Sequence, residues 1–211
     1  MNSIDRMIRS AERHLEGSCP HMRKLIPAFG PCTLRTQPDG FRMLVRSITS
    51  QQISGFAARA ILGRLLDRIA PMPLRAEAVR RCGEKGLRGV GYSQRKASYV
   101  VGLATEVLER GLDLEALRDV SDEEVVEKLT QVRGIGEWTA HMFLIFSLGR
   151  PDILPHGDLG VRQALRELHA LPALPGKREA IELARPWRPF ASVASWYCWR
   201  SIDAKPPQER A

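Results

Sequence analysis

Residues 129–140, LTQVRGIGEWTA, place two glycines around one isoleucine between segments of helical character. A glycine inside a helix costs about 1 kcal/mol relative to alanine, so Gly134 and Gly136 indicate that one helix ends here and another begins. The new helix would start near Gly136 with unpaired N–H groups and a partial positive charge, an arrangement that favours a phosphate. The alternative is a plain helix–helix turn with a glycine C-cap, which would account for Gly134 but not for Gly136.

The rest of the chain carries many helical patterns and few strand patterns. Two helices are expected on either side of Ser50-Gln51-Gln52, and Ser121 opens another with the Ser-x-x-Glu spacing of a capping box. Helical segments are expected over 41–69, 94–110, 121–129 and 138–148 and in the residues after Asp158, and residues 179–200 close the fold. We therefore predict an all-α protein.

The charge and cysteine content of the sequence indicate what kind of molecule the protein binds. The net charge is +8, and 32 basic residues face 24 acidic ones, which favours a polyanion such as nucleic acid. The four cysteines form no Cys-x-x-Cys pair, so neither a zinc site nor an iron–sulfur cluster is expected. The sequence contains no run of 18 apolar residues, so no membrane span is predicted. The charged N-terminus does not have the pattern of a signal peptide. We expect a cytoplasmic, nucleoid-associated protein.

The segment VRGIGEWTA resembles the helix-hairpin-helix of the DNA glycosylase superfamily related to endonuclease III. Arg133 stands where that motif has proline. About 20 residues later the family has an aspartate at the start of a helix, and Asp158 in LPHGDLGVRQAL matches it. The resemblance covers roughly residues 40–200. It implies two helical subdomains flanking a cleft for DNA and the flipped base.

Position 138 indicates the branch of the family. Bifunctional members carry a lysine there that attacks the sugar, whereas Trp138 has no nucleophilic amine. Trp138 and the C-terminal PWRPFASVASWYCWR resemble the 3-methyladenine DNA glycosylase II branch, without that branch's extra N-terminal β-domain. The resemblance implies a base pocket lined by Trp138 and Trp196, with Met142 and Leu159 at positions that are aromatic in relatives.

By the same resemblance, Asp158 is the catalytic carboxylate. It would stabilise the sugar cation directly or orient a water, and the sequence leaves both roles open. A purely structural N-cap role for Asp158 is the alternative. Asp152 is a rival carboxylate, and His156 is most simply an incidental loop residue.

Three further assignments follow from the resemblance. Gln52 takes the position of the side chain that fills the gap left by the flipped base, although a polar cap of the helix junction is the alternative. The phosphate-binding residues of the hairpin would be Gly134, Ile135, Gly136 and Thr139. A monovalent cation would bind the main-chain carbonyls of Thr130, Val132 and Ile135.

A few residues have simpler expected roles. Arg95 or Lys96 is a second candidate for phosphate contact, with a solvated turn as the alternative. Trp187 and Trp199 are expected in the core, and core packing is also the alternative for Trp138.

The expected organisation is a central subdomain over 41–149 with the hairpin at about 121–148, a second subdomain from 1–40 and 150–203, and a disordered tail over 204–211. The expected function is a monofunctional DNA glycosylase that excises alkylated, cationic purines such as 3-methyladenine from double-stranded DNA. It would act as a monomer with no catalytic cofactor. The alternatives are a non-catalytic DNA-binding module and a glycosylase for a neutral lesion.

Overall fold

The computed structural model describes residues 3–203, and within that range the chain forms α-helices and no strand. The all-α prediction is confirmed. The chain divides into two compact units, one made of residues up to Thr36 and from Gly149 onward, the other of Gln37–Leu148. The predicted tail, 204–211, lies outside the described residues.

The helices follow one another in a simple order, with a 3₁₀ turn at Ala116–Asp119, a π-helical segment at Leu144–Leu148 and a second 3₁₀ turn at Arg185–Trp187. They are α1 (Ser3–Ser18), α2 (Pro20–Phe29), α3 (Gly40–Ser50), α4 (Gly55–Ile69), α5 (Ala76–Gly89), α6 (Gln94–Glu109), α7 (Asp122–Thr130), α8 (Glu137–Phe143), α9 (Leu159–Leu168), α10 (Lys177–Leu183) and α11 (Ala191–Asp203).

Short polar side chains start many of these helices. In each case the side chain of the N-cap residue accepts a hydrogen bond from the backbone N–H three residues later, which contributes about 1 kcal/mol. These caps are Asp39, Ser54, Ser93, Ser121 and Asp158. The expected break between two helices at Ser50-Gln51-Gln52 and the helix start at Ser121 are therefore confirmed. The sequence patterns did not predict α1, α2 or α5.

Helix α3 organises the core of the Gln37–Leu148 unit, because it contacts α4, α6 and α8. Large apolar side chains of this unit are fully buried, each worth about 1.5–3 kcal/mol relative to exposure. They include Leu44, Ile48, Leu65, Leu87, Leu103, Leu129 and Phe143. This packing brings the C-terminal end of α3 to the start of α8.

Helix α11 has the corresponding place in the other unit, where it contacts α1, α2 and α9. Trp187 and Tyr197 are fully buried there, which confirms the core role expected for Trp187. The Tyr197 hydroxyl donates to Glu12 Oε1 at 2.8 Å. Packing of α11 along α9 places its C-terminal half beside the first turn of α9.

Candidate functional site

The break at residues 130–137 is a tight turn between α7 and α8. Val132 N–H donates to the Leu129 carbonyl at 3.1 Å, and Ile135 N–H donates to the Val132 carbonyl at 3.0 Å. Gly136 is the N-cap of α8, so the helix restarts at the expected residue. The turn predicted from the two glycines is confirmed as local structure.

The two glycines have different roles. Gly134 has a φ of +94°, and a Cβ at this position would lie 2.3 Å from Cγ of the Tyr99 ring. Gly136 has an extended φ of −101°, and a Cβ there would meet no atom within 4 Å. Gly134 is therefore required by the fold, whereas Gly136 leaves an open surface in front of α8.

An open cavity of about 330 Å³ lies against the turn, within the same unit. It is lined by Gly134–Gly136, Tyr99, Arg95, Lys96 and the α3–α4 junction residues Gln51 and Gln52. The exposed Arg95 gives this cavity a positive charge. The charge of Arg95 and the N-terminal end of α8 at Gly136 favour an anion such as phosphate here.

Two side chains tie the α3–α4 junction to its neighbours. Gln51 Nε2 donates to the Gly134 carbonyl at 3.0 Å and to Thr139 Oγ1 at 3.4 Å. Lys96 Nζ donates to the carbonyls of Thr49 and Gln51 at 2.7 and 2.6 Å. Lys96 therefore holds the end of α3. Gln51 was not singled out from the sequence, because its partners are more than 80 residues away.

Gln52 lies on the surface of this junction. It is exposed and has a φ of +57°, a left-handed conformation that non-glycine residues seldom adopt. The carbonyl of Gln51, the preceding residue, accepts a hydrogen bond from Lys96 Nζ. The position suits the predicted insertion into DNA, which stays a prediction.

The other residues assigned to the turn differ in exposure. Thr139 is 1% exposed and its hydroxyl accepts from Gln51, so the side chain lies behind the turn. Ile135 and Val132 are buried, and the Val132 carbonyl already accepts one hydrogen bond from Ile135. A carbonyl oxygen has a second lone pair, so the cation site expected at Thr130, Val132 and Ile135 stays a prediction.

Asp158 is the N-cap of α9, so the cap considered for it is present, and its catalytic role stays a prediction. Its Oδ1 accepts from Val161 N–H at 2.9 Å and from the indole Nε1 of Trp199 at 2.8 Å. Trp199 was expected in the core. It is instead half-buried, and its N–H donates to the Asp158 carboxylate. The expected core position of Trp199 was therefore wrong.

The rival carboxylate has a structural explanation. Asp152 accepts from Ala191 N–H at 3.2 Å, at the start of α11, and from Arg188 Nε at 2.8 Å. Both of its oxygens are thus engaged in anchoring the loop before α11. The contacts of Asp152 therefore have a structural explanation within this loop.

The residues assigned to the base pocket belong to different units. Trp138 and Met142 lie on α8, the first half-buried and the second buried. Leu159, 56% exposed, follows Asp158 on α9. Trp196 on α11 is half-buried, with the Arg200 guanidinium carbon 5.7 Å from its ring centroid. Their joint role in a pocket stays a prediction.

Among the described residues, no helix is long and apolar enough to cross a membrane.

Comparison with known proteins identifies the family. The model for HhH-GPD superfamily base excision DNA repair proteins matches residues 45–189. The chain is 32% identical over 200 residues to DNA-3-methyladenine glycosylase 1 of Schizosaccharomyces pombe, covering 92% of this chain and 87% of the relative. It is 28% identical over 206 residues to the alkylbase DNA glycosidase-like protein mag2 of the same organism, covering 94% and 95%.

Solved structures agree with these relatives. The S. pombe 3-methyladenine DNA glycosylase in complex with abasic DNA matches with a TM-score of 0.82 and 32% identity, over 92% of this chain and 97% of that one. A DNA-3-methyladenine glycosidase from Bacillus halodurans matches with a TM-score of 0.78 and 34% identity, over 90% and 88%. The chain belongs to the HhH-GPD superfamily of base excision DNA repair proteins.

Proposed function

We propose that this protein is a monofunctional DNA glycosylase that hydrolyses the N-glycosidic bond of alkylated, cationic purines such as 3-methyladenine. The observation that carries the proposal is the Asp158 carboxylate, held at the N-terminus of α9 by two donors on one oxygen. The names of the full-length relatives, alkylbase and 3-methyladenine glycosylases, support the same substrate class.

Hydrolysis of the N-glycosidic bond of an alkylated purine does not require the enzyme to protonate the base. An N3- or N7-alkylated purine carries a positive charge, so it leaves without being protonated. The barrier lies in the sugar, which develops oxocarbenium character as the bond breaks. The Asp158 carboxylate would stabilise this charge or orient the attacking water, and either role is electrostatic.

The aromatic side chains would hold the flipped base. Trp138 and Trp196 present electron-rich faces, and each contact with a cationic base is worth about 1 kcal/mol or somewhat more when it is desolvated. Trp138 has no amine, so the position that forms a Schiff base in bifunctional relatives forms none here. We therefore propose that the enzyme leaves an intact abasic strand.

The turn between α7 and α8 would hold the DNA backbone. The cavity beside Gly136, with the exposed Arg95 on its wall, suits one phosphate. Gln52, on the rim of the same cavity, would occupy the space that the flipped nucleotide leaves. We propose double-stranded DNA as the partner and a monomer as the active form.

The decisive experiment is base release by Asp158→Asn from a duplex that contains 7-methylguanine or 3-methyladenine. Asparagine keeps the size and the cap but removes the charge, so release should fall by about 10²-fold or more while binding is kept. Asp152→Asn is the matched control and should retain most of the activity. If Asp158→Asn kept more than a tenth of the wild-type rate, Asp158 would be a cap only.

Two other functions make different predictions in the same assay. A non-catalytic binding module would release no base from any duplex with the wild-type chain. A glycosylase for a neutral lesion would release hypoxanthine efficiently, although the assigned pocket residues, Trp138, Trp196, Met142 and Leu159, include only indole N–H groups as polar donors.

A further inference from the structure

We infer that Trp199 is a positioning residue that sets the orientation of the Asp158 carboxylate through its indole N–H. The inference rests on the proposed catalytic role of Asp158. Trp199 Nε1 lies 2.8 Å from Asp158 Oδ1, and Val161 N–H lies 2.9 Å from the same oxygen. Both distances are those of well-formed hydrogen bonds to a carboxylate.

The two donors come from different helices. Val161 belongs to α9 itself, so its bond to Asp158 is the ordinary N-cap bond within one turn. Trp199 lies on α11, 41 residues after Asp158. The cap bond comes from one direction and the Trp199 bond from another, so the two hydrogen bonds together restrict rotation of the Asp158 carboxylate more than the cap bond does. Oδ1 thus serves as the anchored oxygen of the pair.

Gly160 makes this contact sterically possible. A Cβ at position 160 would lie 3.0 Å from Cδ1 of the Trp199 indole and 3.2 Å from Asp158 Oδ1. Both distances are tighter than ordinary van der Waals contact. The glycine after Leu159 therefore allows the indole to approach the first turn of α9 closely enough to reach the carboxylate.

Another tryptophan of the same unit shows what simple packing looks like. Trp187 is 1% exposed, and its buried Nε1 has no hydrogen-bond partner among the described residues. That side chain contributes volume only. Trp199 is less buried and directs its N–H at a carboxylate, which is the pattern of a side chain that orients a functional group.

The test compares three tryptophan variants with Asp158→Asn in single-turnover base release at saturating enzyme. Trp199→Phe keeps an aromatic ring but removes the donor, so the rate should fall by about 10- to 100-fold, the scale expected for a misplaced catalytic group. Affinity for a duplex with an abasic-site analogue should stay within about twofold, since Trp199 would act on the reacting sugar only through Asp158.

Two further variants separate orientation from packing. Trp199→His, assayed at pH 8 where histidine is mainly neutral, restores a ring N–H near the position of the indole nitrogen and should recover part of the rate. Trp187→Phe removes an N–H that has no hydrogen-bond partner within residues 3–203 and should leave the single-turnover rate unchanged. Thermal unfolding of each variant shows which of them are folded at the assay temperature.

The outcomes distinguish this inference from the proposed function. If Asp158→Asn is inactive while Trp199→Phe releases base at the wild-type rate, the positioning role is wrong and the catalytic aspartate stands. If Trp199→His is as slow as Trp199→Phe although both are folded, the N–H is not what matters, and the positioning role is again wrong. If Asp158→Asn is fully active, the proposed mechanism itself is overturned.

Discussion

The backbone of Gly134 lies so close to the ring of Tyr99 that a Cβ at residue 134 would be 2.3 Å from Cγ of the tyrosine. The same glycine has a φ of +94°. Tyr99 lies on α6 and Gly134 lies in the turn between α7 and α8, so this contact packs the turn against α6. The Arg133 guanidinium carbon lies 5.8 Å from the centroid of the same ring.

Gly134→Ala should destabilise the protein markedly. The left-handed conformation alone costs about 1–2 kcal/mol for a residue with a Cβ, and the Tyr99 ring would have to move as well. Gly136→Ala, two residues away in open space, is the control and should lower the free energy of unfolding by only about 1 kcal/mol, the difference between glycine and alanine at an N-cap. Urea denaturation measures both. Equal unfolding midpoints for the two variants would contradict this account of the turn.

Gly136→Asp should weaken binding to damaged and undamaged duplex alike, because it places a negative charge where we propose a phosphate. Gly136→Asn is the matched control, since aspartate and asparagine cap helices about equally well and differ here in charge. Affinity of the wild type should fall steeply with salt, as release of counterions requires. If Gly136→Asp binds undamaged DNA as tightly as Gly136→Asn, this turn does not bind a DNA phosphate.

Of the two neighbouring cations, Arg95 should contribute to DNA binding and Lys96 to the stability of the fold. Lys96→Met leaves the Thr49 and Gln51 carbonyls without this donor and should cost about 1–3 kcal/mol of stability. Arg95→Met should leave stability nearly unchanged but weaken DNA binding and lower its salt dependence. Calorimetry and a salt titration of affinity test the pair. The reverse assignment would show that Lys96 is the phosphate ligand.

The protein should have no lyase activity, because Trp138 stands at the position of the lysine that attacks the sugar in bifunctional relatives. The purified protein should leave an abasic strand that breaks only after alkali, and borohydride should trap no covalent complex with DNA. A bifunctional member of the superfamily provides the positive control. Strand cleavage without alkali, or a borohydride adduct, would place a nucleophile elsewhere in the chain.

Trp138→Ala should impair release of 3-methyladenine, while binding to an undamaged duplex is largely kept, since the side chain is proposed to contact the base and not the backbone. Release of neutral hypoxanthine should be slow even with the wild type. Efficient hypoxanthine release would contradict a pocket that depends on the charge of the base.

The thiols should react with 5,5′-dithiobis-(2-nitrobenzoate) in two phases. Cys19, Cys32 and Cys198 are buried, and Cys82 is only partly so. Burial raises the pKa of the Cys32 thiol to about 12, and it also raises that of Cys198. Since the thiolate is the reactive form, one thiol per chain should react quickly at pH 8, and Cys82→Ser should abolish this phase. Rapid reaction of a second thiol would contradict the burial.

Sequence patterns were sufficient wherever the signal is contained within about one helical turn. Ser121 predicts the start of α7, Gly134 and Gly136 predict the turn, and Asp158 predicts the start of α9, because a cap or a turn is made by residues a few positions apart. The same patterns carried the resemblance to the glycosylase superfamily, which the comparisons confirmed.

The tertiary structure alone decided which side chains support these features. Trp199 resembles any apolar residue of α11 until α11 packs along α9 and its N–H reaches Asp158. Gln51 shows no partner in the sequence, because the Gly134 carbonyl it binds is 83 residues away. Such hydrogen bonds depend on the distance and angle between atoms of separate helices, and only the packing of the folded chain determines these.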